Sequence, residues 1–280
     1  MTTRIRQTGL GYRMKACIHV ALLALTSAAP AASFPPSHEP IVRCENHWLL
    51  KEADDPATRV LAFAYVDAQA GFTINYGGKV SLDANGEMVR DPDGTEKFNL
   101  KARVASNYPV ACLSDIQAAK LGLKEPDWLK AYKDDRPPGP QAVAWASHYN
   151  AMGAYAEAVA KLQAARDIGY TSRLMTFELG FADNGLSQFD KAIEVLTAGV
   201  AAYPDDKLMI GELAYSYKSR QDFKKAVELY ILALSKYKDG ETVSRTDFAY
   251  NLAACYHAIG DEASAQKWLT KYQEWRQWER

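Results

Sequence analysis

Two kinds of hydrophobic patterning divide this chain. From Gln141 to the end, apolar positions recur at helical spacing, whereas residues 44–112 carry short apolar runs broken by turn residues. Arg59-Val-Leu-Ala-Phe-Ala-Tyr-Val66 is a β-branched and aromatic run of strand length, punctuated by Asp67-Ala-Gln-Ala-Gly71. Phe72–Tyr76 reads as a second strand. Turn signals at Asp83-Ala-Asn-Gly86 and Asp91-Pro-Asp-Gly94 place further strands at 79–82, 97–104 and 109–113. The pattern predicts an antiparallel meander of about five strands. Ser114 then caps a helix running to about Leu121 and ending near Gly122, and a second short helix covers Asp127–Tyr132. The stretch Lys133-Asp-Asp-Arg-Pro-Pro-Gly-Pro140 cannot continue a helix and marks a domain boundary. Proline-rich residues 34–43 read as an extended linker.

Within the helical half a motif returns every 34 residues: Gly-Ala-Tyr-Ala-Glu-Ala at 153–158, Ser-Gln-Phe-Asp-Lys-Ala at 187–192 and Gln-Asp-Phe-Lys-Lys-Ala at 221–226. A fourth copy, Gly-Asp-Glu-Ala-Ser-Ala at 260–265, arrives 39 residues after the third. Self-similarity at this period implies stacked helical hairpins, because one hairpin cannot bury its own apolar face.

Aligned on the recurring alanines, the copies resemble the tetratricopeptide repeat. They fall at 139–172, 173–206, 207–240 and 246–279, with Glu241-Thr-Val-Ser-Arg245 inserted before the last. The resemblance rests on Leu179-Gly180, Leu213-Ala214 and Leu252-Ala253, on Tyr149, Tyr217 and Tyr256, and on Ala158, Ala192, Ala226 and Ala265. Asp183 departs from it, standing where the other copies have tyrosine. Such arrays imply protein or peptide binding on a concave face lined by positions five, nine and twelve of each repeat. Here that stripe includes Val143, Ser147 and Asn150; Phe177, Phe181 and Asn184; Gly211, Tyr215 and Lys218; and Tyr250, Ala254 and His257. Position six adds Glu178 and Glu212. Aromatic rings with amide and charged groups along one edge make a candidate peptide groove. The bland alternative is that the stripe packs against the β domain or a second copy of the chain. The family's carboxylate-clamp subclass does not fit, since Lys218 is the stripe's sole fixed positive charge and two glutamates oppose it.

On the second helices, Ile193, Val200, Val227 and Leu234 face the next repeat, but repeat four carries Gln266 and Gln273 there. A terminal repeat wets its outer face in this way, so no fifth repeat is expected. Trp275 and Trp278 either fold back on repeat four or mark a contact surface.

Charge and cysteine content add a compartment. Arg4, Arg6, Arg13 and Lys15 precede an apolar run from Ile18 to Leu25 and then Ala29-Pro-Ala31. This is the pattern of a secretory signal peptide, residues 1–31, too short and alanine-rich for a membrane span. Removing its four basic residues leaves 29 basic against 34 acidic, a net charge of about −5. That balance argues against nucleic acid and anionic membranes as partners. A periplasmic or secreted location permits disulfides, and Cys44 and Cys112 are expected to pair, the alternative being two buried free thiols. Cys255 is then a free buried cysteine. No catalytic motif, cofactor loop or metal-ligand spacing is present in the sequence; His38, His47, His148 and His257 are scattered.

The expected fold is α+β: a small antiparallel β-rich domain at 34–135, then an α-helical solenoid of four repeats at 139–280. The expected function is non-catalytic protein–protein interaction in the bacterial envelope, with no cofactor and an undetermined oligomeric state. Two alternatives remain. The β module could bind or hydrolyse a glycan through Asn75, Tyr76, Asp83 and Asn85, if these converge in a deep pocket. It could equally be a cap on the first repeat. If the leader is cleaved, intact-mass measurement of exported protein should place the mature N-terminus between Pro30 and Phe34; a full-length mass would overturn this.

Overall fold

The computed structural model describes residues 33–91, 100–132, 134–238, 241–242 and 244–277; the leader and Trp278 lie outside them. Among the described residues, seven strands form one antiparallel sheet: β1 (Glu39–Pro40), β2 (Trp48–Glu52), β3 (Thr58–Asp67), β4 (Gly71–Leu82), β5 (Met88–Asp91), β6 (Lys101–Arg103) and β7 (Pro109–Cys112). The order is β1-β7-β2-β3-β4-β5, with β6 also pairing β4. The sheet is therefore not the simple meander expected. β7 inserts between β1 and β2, so the supposed linker at 34–43 supplies an edge strand. The β2 and β5 strands are too short to register as runs on their own.

The expected strands at 72–76 and 79–82 are one strand, β4, bent by a bulge. Leu61 pairs with Gly78 and Ala62 with Tyr76, leaving Gly77 unmatched. Glycine is required twice here: Gly78 has φ +111°, and a Cβ on Gly77 would sit 2.4 Å from the Trp48 ring. The extra residue also switches faces. Ile74, before it, points towards the helices, whereas Val80, after it, packs on the opposite side with Leu61 and Leu50.

Both faces of the sheet are covered, which explains why β3 reads as a continuous apolar run and not an alternating one. Leu61, Phe63 and Tyr65 lie under helix α1 (Asp115–Lys120) and a 3-10 turn at Asp127–Tyr132, through Leu121, Leu129 and Trp128. The α1 start carries a full capping box between Ser114 and Gln117. Ala62, Ala64, Val66 and Phe72 face the other way, into the helical array.

The array consists of α2 (Pro138–Ala151) and α3 (Tyr155–Asp167), α4 (Arg173–Gly185) and α5 (Phe189–Ala202), α6 (Lys207–Ser219) and α7 (Phe223–Ser235), then α8 (Arg245–Ala258) and α9 (Glu262–Arg276). Helix α2 starts inside the proline stretch, with Pro138 in its first turn, where a missing N–H is harmless. Between the helices of each pair the chain turns through one left-handed residue at the same repeat position: Gly153, Ser187, Gln221 and Gly260. The 34-residue motif is thus the hairpin turn followed by the alanine, buried in every repeat, that lets two helices approach. Asp222 and Asp261 add side-chain caps to α7 and α9.

Sheet and array share one core. Phe72, Val66, Ala64 and Val110 join Val143, Ala146, Tyr149 and Leu162 in a single cluster that continues to Met175 and Ala182 on α4. Polar contacts frame it. Glu45 accepts hydrogen bonds from Tyr149 Oη (2.5 Å) and Lys161 Nζ (2.9 Å), and Arg43 pairs with Glu157 at 3.0 Å. The boundary segment is clasped too, since Asp134 binds Arg136 and the Trp145 indole while Gln141 Nε2 bonds its carbonyl. A disulfide between Cys44 and Cys112, with Cα atoms 5.5 Å apart, ties the 3-10 turn Ile41–Cys44 to β7 at this junction. Closing a loop of this size is worth roughly 4 kcal/mol in the chain-entropy account. Cys255 is free and buried.

At the far end, Gln266 and Gln273 are exposed, whereas Ile193, Val200, Val227 and Leu234 pack against the second core cluster. Trp275 folds back, meeting Trp268 edge-on and lying under the Arg245 guanidinium. Because sheet and first repeat share a core, Phe72→Ala should cost about 3–5 kcal/mol. It should also lower hydrogen-exchange protection in α2 as well as in the sheet; loss confined to the strands would show the two to be independent units.

Candidate functional site

The inner faces of α2, α4, α6 and α8 carry the groove residues, and they divide into two layers. The lower layer is an inter-repeat ladder. Asn150 Nδ2 donates to the main-chain oxygen of Glu178 (2.9 Å) and to its carboxylate (2.7 Å). One repeat later Asn184 does the same to Glu212, at 3.1 and 3.0 Å, and its own Oδ1 accepts from Ser216 Oγ at 2.7 Å. At the third junction Lys218 Nζ donates to Asn251 Oδ1 at 2.5 Å. In every case position twelve of one repeat bonds position six of the next. Asn150, Glu178 and Asn184 are buried, so these groups hold neighbouring first helices in register beneath the groove surface.

Burial sets the electrostatics of this layer. Desolvation, reinforced by the nearby Glu178 charge, pushes the Glu212 carboxyl up to about 7, with the Asn184 hydrogen bond acting in the opposite sense. The Lys218 ammonium is held below its ordinary value by burial. Glu212 therefore changes charge near neutrality.

The upper layer is aromatic. Phe177 and Phe181 stack with centroids 6.2 Å apart, and Tyr155 meets Phe181 edge-on at 6.1 Å. Phe177 also packs on the second core cluster. Tyr215 is 37% exposed, with the Lys218 ammonium 5.0 Å from its ring centre. Tyr250 is 53% exposed and contacts Tyr272 at 5.3 Å. His257 is exposed and pairs with Glu262 at 2.8 Å. Gly211, expected in the stripe, is covered, because a Cβ there would lie 2.0 Å from the Phe248 ring. Val143 lies in the shared core. Asn251, Ser216, Tyr155 and Tyr272 were not anticipated. Asn251 was legible, since it occupies position six of repeat four as Glu178 and Glu212 do in theirs.

In the sheet, Asn75 and Tyr76 line a cavity of about 350 Å³ with Trp48, Arg90 and Trp128. Asp83 and Asn85 do not join them. Asp83 closes its own tight turn by accepting from the main-chain N–H groups of Asn85 and Glu87. The Cys255 thiol is pushed up to about 11 by burial, far from a reactive thiolate. Among the described residues no cluster of three or more His, Cys, Asp or Glu is arranged to hold a metal, and no helix is long and apolar enough to cross a membrane.

The helical half is an array of the tetratricopeptide type. No protein-family model and no curated protein matches the sequence. Similar solved structures include MamA 41-end from Desulfovibrio magneticus RS-1, at 20% identity and TM-score 0.44, covering 50% of this chain and 76% of that one. BtubC from P. vanneervenii matches at 18% identity and TM-score 0.46, covering 57% and 78%. A kinesin-light-chain-like protein of Podosopora anserina with nearly identical TPR-like repeats matches at 25% identity and TM-score 0.40, covering 53% and 80%.

Because the Glu212 carboxyl is raised from its unfolded value of 4.5, the folded state holds the proton more tightly than the unfolded chain does. Its contribution to stability is complete below about pH 4.5 and is lost as pH rises through about 7. Glu212→Gln keeps an acceptor for Asn184 without the charge. The variant's melting temperature, relative to the native chain, should therefore climb between pH 5 and about 8; a constant difference would refute the assignment.

Proposed function

We propose that this chain is an exported, non-catalytic scaffold of the bacterial envelope that holds a protein or peptide partner in its groove. The observation that carries this reading is the exposed aromatic strip, with Tyr215 37% and Tyr250 53% exposed on helices whose register is fixed from below by the buried ladder. Rings presented on a rigid support are the usual anchors of a recognition surface. The half-buried Lys218 and the exposed His257 give the strip its polar edge. Export is supported by the leader's pattern and by the Cys44–Cys112 bridge, which suits an oxidising compartment. The β module acts as a cap on repeat one, since its sheet completes the core that α2 and α3 cannot close alone.

Crosslinking in cells, followed by identification of the captured chain, names the partner. Tyr215→Ala with Tyr250→Ala should then weaken capture by roughly 2 kcal/mol or more per anchoring ring, with a melting temperature close to native. Phe177→Ala is the contrasting variant, expected to lower the melting temperature because the ring packs on the core. Full capture by the double tyrosine variant would refute groove binding.

A further inference from the structure

Repeats one, three and four carry Tyr149, Tyr217 and Tyr256 at their eleventh position, where repeat two carries Asp183. These tyrosines are buried or half-buried, and Tyr217 and Tyr256 pack against the second core cluster. In repeat two a short carboxylate stands in the place of these rings. Beside it lies a pocket of about 470 Å³ on the face away from the aromatic strip, lined by α3 and α5 with α4 as its floor. Asp183 is only 4% exposed at that floor. Its carboxylate makes no hydrogen bond or ion pair among the described residues, and burial raises it above the ordinary carboxylate range. It lines the pocket, so its hydrogen bonds come from whatever occupies that space.

Two cations and a second, exposed carboxylate, Glu194, line the same pocket. Arg166 on α3 and Lys191 on α5 are exposed, form no ion pair within 4.0 Å among the described residues, and lie close enough for their fields to reach Asp183. Val159, Leu179 and Val195 supply aliphatic walls. A purely cationic ligand would meet Arg166 and Lys191 at the mouth, and a purely anionic one would meet Glu194 as well as Asp183. A molecule bearing both charges on a small apolar body can pair its ammonium with the carboxylate side and its carboxylate with the two cations. We propose that this pocket binds an aliphatic α-amino acid, its ammonium on Asp183, its carboxylate on Arg166 and Lys191, and its side chain against the aliphatic walls. The site is separate from the partner groove and does not depend on the reading given above.

Calorimetric titration of the full chain with leucine, and with its two half-ligands isoamylamine and 4-methylpentanoate, tests this. Leucine should bind at millimolar or lower concentration, and each half-ligand at least about tenfold more weakly. Asp183→Asn should weaken leucine binding by at least about tenfold. Asp183→Tyr restores the residue of the other repeats, and should abolish binding while raising the melting temperature, which also reports that the variant is folded. Arg166→Gln with Lys191→Gln should erase the preference for leucine over the amine. Absence of leucine binding, equal binding of the amine, or undiminished binding by Asp183→Tyr would each overturn the proposal.

Discussion

The constraint on which the rest of the structure depends is that the first helix pair has no preceding repeat to pack against. Repeat arrays stay folded by burying each hairpin between its neighbours, and an uncovered first hairpin would expose the apolar side of α2. The sheet solves this. Phe72, Val66 and Ala64 take the place that a previous helix pair would occupy, around Val143, Ala146 and Tyr149. The Tyr149 hydroxyl and Lys161 meet on the single carboxylate of Glu45, and the disulfide ties the turn that carries Cys44, next to Glu45, to β7. A second apolar face of the same sheet is closed by α1 and the Trp128 segment, so the module forms a complete layer and not a loose appendage.

From this anchored end, register passes along the array by a repeated polar link. Each first helix is bonded to the next through position twelve and position six, and the link survives a change of chemistry from Asn–Glu to Lys–Asn. What is retained is a donor facing an acceptor across each junction, because a polar group drawn out of water there without a partner would carry a desolvation penalty. This layer supports the aromatic strip above it and makes one junction sensitive to pH through Glu212.

The helical half was legible because its information is local and repeated. The left-handed turn residue and the buried alanine recur at fixed positions in four copies, so each copy corroborates the others. The wet outer face at Gln266 and Gln273 could be read in the same way. The sheet was less legible. Strands β2 and β5 are short, β1 lies in a proline-rich segment, and β4 looked like two strands because Gly77-Gly78 carries a turn-like signature that the fold uses as a bulge. The insertion of β7 between β1 and β2 is a pairing of residues about 60 to 70 apart in the chain, which no local pattern encodes.

Candidate residues followed the same division. The repeat register alone placed Asn150, Phe177, Glu178, Phe181, Asn184, Glu212, Tyr215, Lys218, Tyr250 and His257 along the first helices, because spacing on a helix is fixed by its 3.6-residue period. It could not tell which of them reach solvent. That depended on side chains from other elements: Phe248 over Gly211, Ser216 on Asn184, and each glutamate drawn down by the asparagine of the preceding repeat. Asp183 shows the same limit from the other side. The sequence marked it as a departure from its three tyrosine counterparts, but only the placement of α3 and α5 on either side of α4 showed a pocket beside it, since a cavity is a property of the walls around it.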